Sequence, residues 1–176
     1  MKKAAFIDRD GVINRKAPEG QYVTRWADME FLPGADEAIR LLNDAGFFVV
    51  VVSNQRCVAK GLISTDELES IHARMRGEFQ VAGARIDAIY YCPHDDQPPC
   101  GCRKPQPGML LEAARTHSVE LAASWMIGDS ERDVQAGRNA GCNTAQVIAD
   151  GKSAHGCADL VATSLLDATH KILQVH

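Results

Sequence analysis

Phe47 to Val52 is an unbroken run of aromatic and β-branched residues, Phe-Phe-Val-Val-Val-Val, with no polar residue for either face. A strand of this kind is stable only where both faces are covered, as in a parallel sheet flanked by helices. Neighbouring patterns agree. Lys3 to Ile7 reads as a short strand that stops at two aspartates, Asp8 and Asp10. Gly34 to Ala45 places Ala35, Ala38, Leu41 and Leu42 at helical spacing, and Gly46 ends it. Ser64 with Glu67 three residues on is a capping box that opens a second helix. Strands are expected at Ile86 to Tyr91, Trp125 to Ile127, Asn143 to Ile148 and Asp159 to Val161. Helices are expected at Gly108 to His117, Glu131 to Ala140 and Leu165 to Val175. Strands alternating with helices predict an α/β, Rossmann-like parallel sheet with helices on both faces. Arg15 to Asp28 is loop-like, long enough for a small flap and too short for a large cap domain.

The chain has 176 residues, enough for one core, and residues 1–176 are read as a single domain. A net charge of -4 argues against a broad nucleic-acid surface. No apolar run approaches the ~20 residues that span a bilayer, and Asp8 interrupts the N-terminus too soon for a signal peptide. The expectation is a cytoplasmic protein, acting without membrane or nucleic acid and as a monomer.

In parallel sheets of this kind ligands bind beyond the carboxyl ends of the strands, and the polar clusters fall there. Asp8-Arg9-Asp10-Gly11 follows the first strand. Two carboxylates this close need a compensating cation or shared proton, and a hard cation such as Mg²⁺ suits carboxylate and phosphate oxygens. The same run also reads as a capped turn. Ser53 and Asn54 follow the second strand, where a hydroxyl and backbone N–H groups can hold phosphate, or simply start a turn. Lys104 can neutralise transition-state charge, although most lysines only face solvent. Gly128-Asp129 ends a later strand. Asp133, four residues on, shares a helical face with Asp129 and can support the metal site, or both can be an N-cap with an acidic first turn.

Six cysteines occur, and three of them, with a histidine, form Cys92-Pro93-His94 and Cys100-Gly101-Cys102. Three thiolates and an imidazole match a closed, structural Zn²⁺ site, which would staple the Pro-rich loop from Pro93 to Pro107. A disulfide or free thiols are the alternatives.

The order of these motifs resembles the haloacid dehalogenase (HAD) superfamily of phosphatases, matching at Asp8 to Val12, Ser53-Asn54, Lys104 and Gly128-Asp129 through Asp133. The resemblance implies a HAD fold in which Asp8 is nucleophile and Mg²⁺ ligand. Asp10 is then the general acid/base and offers its backbone carbonyl to the metal. Ser53 binds the phosphoryl group, Lys104 steadies it together with Asp8, and Asp129 completes the Mg²⁺ site. The zinc loop, with Tyr90-Tyr91-Cys92-Pro93-His94 and Arg103 to Leu110, is similar to the D-glycero-D-manno-heptose 1,7-bisphosphate 7-phosphatases and the related histidinol-phosphate phosphatases. The short gap before Cys100 is more like the latter. This likeness implies a small phosphorylated sugar as substrate, on the route to nucleotide-activated heptose and lipopolysaccharide core. Contacts are implied at Glu19, Gly20, Gln21, Tyr22, Ser53, Asn54, Gln55 and Arg56, with Arg103 gripping a distal phosphate.

Two positions depart from the heptose pattern. Arg56-Cys57 stands where Ser-Gly is usual, and Ser130 stands where a lysine usually follows the metal aspartate. A cation lost at Ser130 and gained at Arg56 suggests a relocated charge or a different substrate. Histidinol phosphate is the alternative substrate, and a catalytically silent HAD-fold binding protein is the alternative of another class.

Overall fold

The computed structural model describes residues 1–148 and 157–175. Strands β1 (Ala4–Ile7), β2 (Phe48–Asn54), β3 (Ala88–Cys92), β4 (Trp125–Gly128), β5 (Asn143–Val147) and β6 (Leu160–Ala162) form one sheet in the order β3-β2-β1-β4-β5-β6. Every pairing is parallel. The expected architecture is therefore the observed one, without a large cap.

Alternation along the strands sorts the core into two layers. Ala5, Ile7, Val49, Val51 and Ile127 face helices α1 (Ala35–Asp44), α2 (Thr65–Val81) and α5 (Leu165–Gln174). Ala4, Phe6, Val50, Val52 and Met126 face α3 (Gly108–His117) and α4 (Glu131–Ala140). The Phe47–Val52 run is thus covered on both sides, as its composition demands.

Several boundaries shift by one or two residues, and three of the shifts have a clear local setting. β3 starts at Ala88 because the Asp87 carboxylate takes the Val49 N–H at 2.8 Å, displacing ladder pairing. β6 starts at Leu160 because the Asp159 carboxylate accepts from Thr144 N–H at 2.8 Å in the same way. β2 runs on through Ser53 and Asn54, which pair with Tyr91 and Cys92. These two polar residues are therefore held in the sheet rather than in a loose loop.

The loop from Arg15 to Asp28 ends in a 3₁₀ turn, Trp26–Asp28. It rests on a small satellite core where Tyr22, Trp26 and Met29 pack against Cys57, Ile63, Leu68 and Ile71. Among the described residues, no helix is long and apolar enough to cross a membrane.

Candidate active site

β1 lies between β2 and β4, at the point where the strand order reverses. Crevices open at such switch points beyond the strand ends. Asp8 sits there, anchored by its N–H to Ile127 O at 2.9 Å. Gly11 makes the following turn at φ +98°, and a Cβ there would collide with the Asp129 carboxylate. Gly128 is required for a similar reason: a Cβ would strike Asp133. Gly11 thus lets Asp129 close on the turn after β1, and Gly128 lets Asp133 close on the end of β4.

One oxygen from each of Asp8, Asp129 and Asp133 lies within 4.8 Å of the others. Lys104, only 3% exposed, sits under them with Nζ 2.6 Å from Asp8 Oδ1 and 2.6 Å from Asp133 Oδ1. Its backbone is pinned by Asn54, which accepts from Lys104 N at 3.0 Å and donates to Lys104 O at 3.1 Å. Burial disfavours the Lys104 ammonium, but Asp133 and Asp8 outweigh it and keep the lysine protonated. Burial pushes the Asp8 carboxyl up; Lys104 opposes this, Asp133 and Asp129 add to it, and the result is about 7. Negative charge thus exceeds what Lys104 can balance. A divalent cation bound by oxygen ligands fits that excess.

Asp10 points elsewhere. Its carboxylate accepts from Arg9 at 3.0 and 3.2 Å, from Asn14 at 2.9 Å and from Gln55 at 3.0 Å. Burial raises its affinity for a proton, but Arg9 and the amide donors prevail and hold it below the usual carboxylate range. Gln55 also donates to Ser53 Oγ at 2.7 Å, tying the two polar strand ends together.

A cavity of about 290 Å³ opens over Asp8, Asp10, Ser53, Asn54, Lys104 and Asp129. Lys16 from the flap, Arg103 from the cysteine loop and Arg132 from α4 also line it. A second cavity of about 300 Å³ adjoins it through Asp10, Lys16 and Asn54. Glu19, Gly20, Gln21, Tyr22 and Gln55 line this one. A third, of about 330 Å³, shares Arg103, Lys104 and Arg132 and reaches Asp95, Asp96 and Pro99.

Arg56 is placed differently from the expected substrate contact. It lines none of these three cavities. Its guanidinium pairs with Asp95 and, at 2.9 Å, with Asp96. The cation gained at this position ties the loop after β2 to the cysteine loop. Arg103 lines the cavity but spends Nε on Asp96 at 2.7 Å and Nη1 on His94 O at 3.4 Å.

Cys92, His94, Cys100 and Cys102 converge at the end of β3. Their sulfur–sulfur distances are 3.2, 3.5 and 3.6 Å, and His94 Nδ1 is 3.3 and 3.5 Å from two sulfurs. A tetrahedron with Zn–S bonds of ~2.3 Å has sulfur–sulfur edges of ~3.8 Å, so the donor set has nearly the right size. Burial raises the Cys100 thiol, but backbone N–H groups and the neighbouring thiols outweigh it and hold it at about 7. The cluster can hold a metal, and Arg103 and Lys104 follow its last member directly.

Two features were not legible beforehand. Lys16 bonds Asp129 Oδ2 at 2.9 Å across 113 residues of chain, and nothing in the flap's composition signals it. Arg9 is 1% exposed and bonds the buried His72 at 3.1 Å. Here a signal existed: His72 falls on the apolar stripe Leu68, Ile71, Met75, Phe79 of α2.

Known proteins share this arrangement. The HAD-hydrolase-like family matches residues 101–168. The D-glycero-beta-D-manno-heptose-1,7-bisphosphate 7-phosphatase of Rhodopseudomonas palustris is 42% identical, over 80% of this chain and 80% of its own. The enzyme of that name from Escherichia coli is 37% identical, over 96% and 93%. The crystal structure of D,D-heptose 1,7-bisphosphate phosphatase from B. bronchiseptica, complexed with magnesium and phosphate, superposes with a TM-score of 0.90. It is 35% identical and covers 99% of each chain. The chain therefore belongs to the haloacid dehalogenase-like phosphatases, in the family of the heptose-bisphosphate 7-phosphatases.

Proposed function

We propose that the protein, acting as one domain over residues 1–176, hydrolyses the 7-phosphate of D-glycero-D-manno-heptose 1,7-bisphosphate through an aspartyl phosphate on Asp8. The observation that carries this is the buried Lys104, 2.6 Å from both Asp8 and Asp133, beneath a cavity with Ser53 and Asp129 on its walls.

Asp8, Asp129 and the Asp10 carbonyl would hold Mg²⁺, which supplies charge neutralisation and alignment of phosphate oxygens when bound. Lys104 fixes Asp8 Oδ1, so Oδ2 is the oxygen that attacks phosphorus. The Asp8 O–P bond forms as the bond from phosphorus to the sugar oxygen breaks. Asp10 passes a proton to that leaving oxygen. Clamped by Arg9, it rests ionised, but a multiply charged phosphate arriving beside it raises its proton affinity. Once the sugar alcohol has left, Asp10 is again a carboxylate and takes a proton from the attacking water. Water oxygen then displaces Asp8 from phosphorus and inorganic phosphate departs. Ser53 Oγ and the Lys104 ammonium steady the phosphoryl group throughout.

The cavity under Glu19 to Tyr22 and the one beside Arg103 and Arg132 give room for the sugar and its second phosphate. Cys92, His94, Cys100 and Cys102 would hold Zn²⁺ as a structural staple. A cytoplasmic monomer is the simplest form for this small, capless enzyme.

Similar proteins carry both anomeric names: the relative from Mycobacterium bovis, at 39% identity, is the alpha-specific one by name. A phosphate-release screen with Mg²⁺ should therefore compare both heptose bisphosphate anomers with histidinol phosphate. The expected result is turnover of a heptose bisphosphate at least ~100-fold more efficient than of histidinol phosphate, the scale at which missing polar contacts discriminate. The reverse preference would overturn the substrate, and no release from any of them would overturn the enzyme.

A further inference from the structure

Ser130, which directly follows Asp129, offers the cavity over Asp8 no cation. Its N–H and hydroxyl both donate to Asp133 Oδ2, at 3.0 and 2.6 Å, and close the first turn of α4. Arg56, the cation gained elsewhere, is bound to Asp95 and Asp96. Arg9 is turned to Asp10 and His72, and Lys104 lies beneath Asp8 and Asp133.

Lys16 is the flap cation that reaches the cavity over Asp8. Its Nζ is 2.9 Å from Asp129 Oδ2, and the side chain is 59% exposed. It lines the cavity over Asp8 and also the one under the flap. Arg103 and Arg132 line the same cavity and also the one beside the cysteine loop. The cavity over Asp8 therefore carries cations from the flap, from the cysteine loop and from α4.

We infer that Lys16 is the flap-side phosphate ligand of this enzyme. It neutralises Asp129. A divalent cation must compete with it for that carboxylate, and the displaced ammonium then turns to the phosphate oxygens beside it. Lys16 thus contributes in opposite senses to the two ligands: it weakens cation binding in the empty site and strengthens phosphate binding in the metal-loaded one. This rests on the phosphatase reading of the site but not on the identity of the sugar.

The test is calorimetric titration of the full chain as wild type, K16M and K16R, first with Mg²⁺ alone and then with inorganic phosphate at saturating Mg²⁺. K16M keeps the length of the side chain and removes its charge. K16M should bind Mg²⁺ about three- to ten-fold more tightly, as expected for removing an exposed competing charge. It should bind phosphate about ten-fold more weakly, the loss of one charge-assisted hydrogen bond. K16R should stay within a few-fold of wild type for both. A side chain that merely props the flap would weaken both ligands together or neither. Unchanged phosphate affinity in K16M, or Mg²⁺ affinity that is unchanged or weaker, would overturn the inference. No sugar is used, so a wrong heptose assignment leaves this outcome unaffected.

Discussion

Arg9 and His72 show how much of a site can hang on residues that never meet the substrate. Arg9 takes both Asp10 oxygens and hands its remaining N–H to Gln55 and His72. Burial lowers the His72 pKa, Arg9 lowers it further, and Asp10 opposes; the ring ends at about 3 and accepts through Nε2 as a neutral group. An unfolded histidine titrates near ~6.5. Between pH 6.5 and 3 the unfolded chain therefore binds a proton that the folded chain does not. His72 stabilises above that window, and its contribution is lost as pH falls. Metal-free Asp8, held at about 7, works in the opposite direction, because the folded chain keeps its proton longer. Comparing H72Q with wild type cancels Asp8. In urea titrations of the metal-free protein, wild type should lose on the order of 1–2 kcal/mol more than H72Q between pH 6.5 and 5. Parallel losses would mean that His72 is not buried neutral.

Among the elements, the loop from Pro93 to Pro107 contains no strand or helix until α3 begins. Its ties include the Cys92, His94, Cys100, Cys102 cluster, the Arg56–Asp96–Arg103 ion pairs and the Asn54 clasp on the Lys104 backbone. It carries Arg103 and Lys104 into the site. Metal analysis should find one zinc per chain in wild type and none in the C100S/C102S variant. Cys100 and Cys102 pack only at the margin of the α3–α4 core layer, while the sheet has its own ladders and a second core layer, so that variant should keep its helix and strand content while phosphate release falls at least ~10-fold through misplacement of Lys104. Zinc-free wild type with full activity would count against the staple. Strand and helix positions were legible because each carries its own periodicity. Glu131–Ala140 and Gly108–His117 fall where spacing and caps put them. The shifted starts of β3 and β6 were not legible, since Asp87 and Asp159 compete with the ladder through side chains whose partners lie elsewhere in the sequence.

For the whole molecule, the strand order β3-β2-β1-β4-β5-β6 gathers residues 8, 53, 104, 129 and 133 into one crevice. Asp8 and Asp129 could be named from sequence because each directly follows an apolar run that must be a buried strand, Asp133 because it shares a helical face with Asp129, and Lys104 only through the order of the motifs. Lys16 could not, because a flap has no periodicity and its partner, Asp129, is 113 residues away. The partners of Arg56, Asp95 and Asp96, were likewise hidden, although its charge was visible. The central claim is that all these parts serve one nucleophile. The direct measurement is Mg²⁺-dependent phosphate release by D8N beside wild type, on whichever substrate wild type turns over. The amide keeps the shape of Asp8 but cannot form the acyl phosphate. D8N should stay folded and lose at least ~1000-fold in turnover, as for removal of a covalent nucleophile. D8N turnover within about ten-fold of wild type would contradict the account.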